Sequence, residues 1–204
     1  MHKGDANSEV AVRLCGVGGQ GIVLAANLLA ESLSKQFARV TTYAAYGPEV
    51  RGTSVHADVR ASERWVDYPP IERPSFIIAL AQEGYALAVK AADENARVLY
   101  DPATVQPGDN GTVAHTPVAA SQLSEENFGS PANANLIMLG AASAYLAGFD
   151  FDALIHTVKG KFSDSNTAVR ALEIGREALR DKPGTETGGK INSGGCDNDR
   201  NKRT

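Results

Sequence analysis

Apolar residues return along this chain in two rhythms, and the changes of rhythm mark its elements. Val10 to Cys15 (VAVRLC) is a short apolar strand broken by one arginine. Gly16-Val17-Gly18-Gly19-Gln20-Gly21 follows as a turn. From Ile22 to Phe37, apolar Ile22, Ala25, Ala26, Leu29 and Leu33 recur at spacings of three and four, the period of a helix with one buried face. Arg39 to Tyr43 reads as a second strand. Residues 10–43 therefore predict a strand, glycine turn, helix, strand unit, with a parallel sheet and a right-handed crossover.

The pattern continues in shorter pieces. Val55 to Ala61 (VHADVRA) alternates apolar and polar, which predicts a strand with one wet face. Phe76-Ile-Ile-Ala-Leu80 is uninterrupted, as in a sheet covered on both faces. Glu83 to Ala92 reads as a helix, Arg97 to Asp101 as a strand, and Thr112 to Thr116 as a short strand between turns. Ala119 to Asn127 is a weak helix. Ala134 to Ala147 is an apolar helix rich in small residues, predicted to pack on several sides. Asp152 to Lys159 and Thr167 to Arg180 complete the helices, with Asn166 as the expected N-cap of the last. Strands alternating with helices predict an α/β class: a Rossmann-like open sheet, mostly parallel, with helices on both faces and a helical C-terminal part.

Composition changes the picture at the ends. The chain has 204 residues, 43% hydrophobic and 22% charged, enough for one domain with a sizeable core. Residues 1–9 are polar and read as a flexible arm without the apolar stretch of a secretory signal. Residues 181–204 are rich in Gly, Asn, Asp and Lys, so they cannot bury enough apolar surface to order themselves and read as a polar flexible tail. The folded domain is expected over 10–180. A net charge of -4 gives no basic footprint for nucleic acid or anionic lipid. No apolar run approaches the ~18 residues of a membrane span. A cytoplasmic location is the expectation.

The chemistry-bearing residues are sparse. Two cysteines, Cys15 and Cys196, cannot by themselves make a disulfide framework or hold an iron–sulfur cluster. The four histidines, His2, His56, His115 and His156, never sit at metal-ligand spacing, so no metal site is predicted. No serine occupies a nucleophile elbow, and no lysine follows the glycine turn in P-loop spacing. No catalytic residue is assigned to this chain, and the reacting groups are expected on another.

Two loops hold the candidate site. Gly16-x-Gly18-x-x-Gly21 fits a dinucleotide fingerprint in context, because a strand precedes it and a helix follows. Its backbone amides and the helix start suit an anion. Yet the second strand ends Thr41-Thr-Tyr-Ala-Ala-Tyr46 without the acid that grips a ribose, and Gly19 and Gln20 depart from the common loop. The glycines could equally serve close packing of helix on strand. In the second loop, Tyr46-Gly-Pro-Glu49-Val-Arg51-Gly52, Arg51 is a fixed cation able to grip a carboxylate or phosphate bidentately, with Glu49 able to orient it. A surface turn with a local ion pair is the plainer alternative. Both loops are expected at the carboxyl edge of the sheet, where clefts form. Gly108-Asp109-Asn110, with Asn133 and Asn135 downstream, is a poor match to a thiamine diphosphate motif and reads as a turn.

GVGGQGIVLAANLLAESL, YGPEVRG, VRASERWVDYPPIERPSFIIAL, ANANLIMLGA and NTAVRALEIG, in that order over about residues 10–180, resemble the gamma subunit of 2-oxoacid:ferredoxin oxidoreductases. The resemblance implies a holoenzyme that decarboxylates a 2-oxoacid on thiamine diphosphate with Mg2+. Such an enzyme passes electrons through [4Fe–4S] clusters to ferredoxin and moves the acyl group to coenzyme A. The thiamine diphosphate and clusters would belong to alpha, beta and delta partners; this chain would bind no cofactor alone, would be structural, and in some members of the family lies near the coenzyme A cleft. Carried onto this sequence, the loops are Gly16, Gly18, Gly19, Gln20 and Gly21, then Tyr46, Glu49, Arg51 and Gly52. Asn135 and Asn166 match asparagines of the helical half. Thr53 stands where the family usually has a second glycine. The rival expectations are a free-standing NAD(P)-binding dehydrogenase domain and a non-redox interaction module.

Overall fold

The computed structural model describes residues 9–47, 53–64, 68–108, 113–146 and 149–180. Residues 1–8 of the arm, the tail, Glu49, Arg51, Gly52, Asp109, Asn110 and Cys196 fall outside them. Six strands form one sheet: β1 (Glu9–Val17), β2 (Arg39–Tyr46), β3 (Ser54–Ser62), β4 (Phe76–Ala79), β5 (Arg97–Tyr100) and β6 (Ala114–Pro117). Six α-helices accompany them: α1 (Ile22–Leu33), α2 (Gln82–Lys90), α3 (Ala120–Phe128), α4 (Ala134–Ala142), α5 (Phe151–Lys161) and α6 (Ser165–Arg180).

The strand order is β2-β3-β1-β4-β5-β6. β1, β4, β5 and β6 pair in parallel, while β3 runs antiparallel to both β1 and β2. β2 therefore points the same way as β1, as the strand–helix–strand pattern predicts, but the two are not neighbours. β3 returns from the end of β2 and inserts between them. The periodicity of residues 10–43 carries no information on this, because the inserted strand comes later in the chain. Glu9, assigned to the arm by composition, belongs to β1, where it pairs with Ser62.

Alternation divides the sheet into two covered faces. Val10, Val12, Leu14, Val55, Ala57, Val59 and Ala61 point into the main core with α1, α4 and α6. Cys15, Ile77, Ala79 and Val98 point the other way, under Tyr85, Ala88 and Val89 of α2. The β3 face expected to be wet is only half so. Asp58 lies there fully buried, bound bidentately by Arg13 at 2.7 Å through each oxygen. The Ile71 N–H also donates to Asp58, at 2.8 Å, and its carbonyl accepts from Arg13, so the crossing segment is stapled over the ion pair.

The small-residue helix packs on several sides as expected, but it ends at Ala142 and residues 143–146 turn away from it, where the sequence pattern predicts a helix to Ala147. Every residue of α4 is buried, and α6 crosses it in backbone contact. The cap of α6 differs from expectation: the Asp164 carboxylate, not Asn166, accepts the Thr167 N–H at 3.2 Å. Asp164 lies one residue before the helix, so its oxygen reaches an amide of the first turn, whereas Asn166 is already within it.

Candidate functional site

The glycine turn and the described stems of the second loop, residues 46–47 and 53–54, meet on one rim, at the carboxyl ends of β1 and β2; Glu49, Arg51 and Gly52 lie outside the described residues. Gly16 pairs with Val55, Val17 with Ser54, and Tyr46 with Val55. The Gly18 N–H donates to the Thr53 carbonyl at 3.1 Å, and the Gly47 N–H to the Ser54 carbonyl at 2.9 Å. Thr53 thus holds the glycine turn through its backbone carbonyl.

Within the turn the glycines divide by cause. Gly16 is buried, and a Cβ there would crowd Gln20 and Ile22, so its smallness serves packing. Gly21 has φ +68°, in the left-handed region, and a Cβ would overlap the Asn135 side chain. Asn135 donates from Nδ2 to the Gly21 carbonyl at 3.2 Å and accepts the Leu136 N–H through Oδ1. Gly19, at φ +93°, needs glycine for its backbone alone. Gly18 has neither constraint: its φ is not positive, and nothing lies within 4 Å of a Cβ placed there. Gly18 and Gly19 are exposed.

Gln20 closes the gap between β1 and β4. Its Oε1 accepts the Val17 N–H at 2.8 Å, and its Nε2 donates to the Leu80 carbonyl at 2.8 Å. The Thr104 hydroxyl donates to the same carbonyl at 2.9 Å. β1 leads to β2 and β3 on one side and borders β4 on the other, so this gap is where the direction of winding reverses. Its amide side chain fits because it can donate and accept at once. The loop's departure from the common fingerprint signals this role, whereas Thr104 carries no mark in the sequence.

The rim is apolar and rich in backbone amides. Helical bonding in α1 starts with the Ala25 N–H on the Gly21 carbonyl, and no acid stands in the first turn. The earlier amides of that turn are the ready donors for an anion. Leu24 is 43% exposed and Tyr46 67%, both large apolar side chains left outside the core beside this edge. The end of β2 carries no acid and sits two strands from β1, about 10 Å away. That placement is unlike a dinucleotide site, in which the ribose-binding acid ends the neighbouring strand.

Two titratable groups sit under this edge on the α2 side. Burial pushes the Cys15 thiol up to about 12, with the Arg13 charge opposing and Asp58 reinforcing, so it stays a protonated, unreactive side chain. His56, opposite Cys15 and 6.3 Å from the Tyr43 ring, is held below the ordinary imidazole value, first by burial and then by Arg13. The fold prefers it neutral, so the unfolded chain takes up the proton more readily. Stability is expected to fall as pH drops through about 6.5. His56→Gln should flatten that part of the acid limb, read from urea midpoints at pH 7.5, 6.0 and 5.0. An unchanged acid limb would remove this role.

An open α/β sheet with a glycine-turned rim and a bridged switch point defines a Rossmann-like domain. The family model described as pyruvate ferredoxin/flavodoxin oxidoreductase matches residues 11–180, and the chain belongs to that family. It is 30% identical over 172 residues to the 2-oxoglutarate synthase subunit KorC of Archaeoglobus fulgidus, covering 84% of this chain and 89% of that one. It is 29% identical to the ketoisovalerate oxidoreductase subunit VorA of Methanothermobacter thermautotrophicus, over 85% of this chain but 37% of the relative. A gamma subunit of keto/oxoacid ferredoxin oxidoreductase from Geobacter sulfurreducens has the same fold, with TM-score 0.69, 24% identity, and coverage of 82% and 96% of the two chains. A Magnetococcus marinus 2-oxoglutarate:ferredoxin oxidoreductase, solved with 2-oxoglutarate, coenzyme A and succinyl-CoA, matches with TM-score 0.75 and 21% identity over 84% of this chain and 31% of that one.

Proposed function

We propose that this chain is the gamma-type subunit of a multi-subunit, thiamine-diphosphate-dependent 2-oxoacid:ferredoxin oxidoreductase of the cytoplasm. It completes the assembly that converts a 2-oxoacid to its acyl-CoA. The observation that carries the reading is the rim: exposed backbone at Gly18 and Gly19, flanked by exposed Leu24 and Tyr46, on a domain matched along its folded length to such subunits.

Among the described residues no group of three or more His, Cys, Asp or Glu could hold a metal ion, and Cys15 is buried, so cluster ligands and the thiamine-bound Mg2+ fit companion alpha, beta and delta chains better than this one. The rim fits one phosphate of coenzyme A, through the turn at Gly18 and Gly19 and the first-turn amides of α1. When bound, coenzyme A supplies the thiol that accepts the acyl group. The work of this chain is to position and to enclose. Gln20 fixes the turn against β4, Asn135 fixes Gly21, and Leu24 and Tyr46 offer apolar area to a neighbouring chain. Glu49, Arg51 and Gly52 continue the same loop as further contact residues.

Gly18→Ala tests the reading, because none of the described residues resists the methyl. The melting of the isolated chain should stay within about 0.5 kcal/mol of wild type. Reconstituted with its companion chains, the variant should lose roughly tenfold in subunit affinity or in apparent affinity for coenzyme A, about 1.4 kcal/mol. Arg51→Ala should act in the same direction with the isolated fold intact. Normal complex yield together with normal coenzyme A dependence in both variants would overturn the proposal.

A further inference from the structure

β2 ends the sheet, and among the described residues it pairs only with β3. It is poorly covered: Arg39, Thr42, Tyr43, Ala44 and Tyr46 are all exposed, Tyr43 by 40%, and none of its eight residues is buried. Its one charge is Arg39, at the start. Val40 to Tyr46 (VTTYAAY) holds no charge, proline or glycine. Natural edges of this length are protected by such residues, or they are covered.

The bonding pattern says which groups point outward. The Gly47 N–H meets the Ser54 carbonyl, so 47 and 54 form a hydrogen-bonded pair of the antiparallel ladder. Alternation then turns Tyr43 and Ala45 towards β3, and leaves the N–H and C=O groups of Val40, Thr42, Ala44 and Tyr46 facing away from the sheet. The same parity holds across β3, whose Thr53 faces the other way to accept from Gly18.

We propose that a second copy of this chain pairs with that edge, antiparallel about a two-fold axis through Tyr43. In this register Thr42 faces Ala44 of the other copy and Val40 faces Tyr46, so every outward-facing donor and acceptor of β2 finds a partner. Tyr43 meets its own symmetry mate as a non-hydrogen-bonded pair, the closest kind, where aromatic pairs stabilise most. The two Arg39 side chains fall at opposite ends of the junction, so no like charges face each other. The strand is therefore self-complementary in backbone groups, in charge and in side chains, which is what a two-fold interface requires. The sheet would run unbroken through both copies, whatever the activity of the assembly.

The full chain, purified alone, should sediment at twice its mass of 21.5 kDa. Thr42→Lys should halve that mass by placing an unpaired charge opposite Ala44. Thr42→Lys combined with Ala44→Glu should restore the dimer, because each lysine then faces a glutamate of the other copy; a mere folding defect would not be rescued. A Tyr43→Cys, Cys196→Ser chain should form a crosslinked dimer on oxidation. The proposal falls if the wild-type chain is a monomer, if Thr42→Lys remains a dimer, or if the double variant stays monomeric. A β2 edge protected from hydrogen exchange only when companion chains are added would assign it to them instead.

Discussion

Gly175→Ala should destabilise this protein by about 3 kcal/mol or more, and Gly160→Ala in the neighbouring helix should stabilise it by about 0.5–1 kcal/mol. The same methyl is added in both cases. Gly175 lies where α6 crosses α4, and a Cβ there would overlap the Ile137 carbonyl and crowd the Ala141 N–H. Gly140 faces the reciprocal point, where a Cβ would overlap the Leu172 carbonyl. Backbone, unlike a flexible side-chain end, cannot rotate away. The helices must move apart, and the contacts of Ile137, Ala141, Ala168, Ala171 and Leu172, all nearly or wholly buried, are loosened together.

Gly160 has the opposite setting. It lies in α5, exposed, with none of the described residues within 4 Å of a Cβ, so alanine only removes freedom from the unfolded chain. Chemical denaturation of the two variants gives the comparison directly. Equal effects of either sign at the two sites would contradict the close crossing of α4 and α6. A loss at 175 alone supports it, and Gly140→Ala should then show a loss of similar size.

That crossing also marks what a single sequence discloses. The small residues of 134–147 announce a helix packed on several sides, and α4 is buried throughout, though it stops five residues short of that span. Which helix packs there is a pairing of α4 with α6, and spacing within one segment is silent on pairings between segments. The same holds for the sheet. Each strand is visible as an apolar or alternating run, but the insertion of β3 between β1 and β2 depends on register between distant runs. At the rim, the glycine turn and Tyr46 were legible because turns and exposed aromatics leave local marks. Gln20 was visible only as a departure from a fingerprint, since its partners, Val17 and Leu80, lie on two different strands. Asp58 was hidden most fully. In VHADVRA it sits in phase with the polar positions, and only the fold brings Arg13 and the Ile71 backbone over it.

Removing that carboxylate should therefore be costly out of proportion to its place in a polar-looking strand. Asp58→Ala is expected to destabilise by about 3–5 kcal/mol, because it strands the Arg13 guanidinium, only 12% exposed, with the Ile71 carbonyl as its remaining acceptor. The Ile71 N–H loses its acceptor as well, so its hydrogen exchange should quicken ahead of the strands beneath it. Replacing both charges together, Arg13→Met with Asp58→Leu, should recover much of the loss, since no unpaired charge is left and apolar side chains fill the space. The double-mutant cycle then yields a coupling of at least about 2 kcal/mol. If each single variant loses less than about 1 kcal/mol and the two losses add in the double variant, the pair is a surface contact and not the staple that covers this face of the sheet. A large coupling with unchanged exchange at Ile71 would place the energy in the ion pair alone and detach the crossing segment from it.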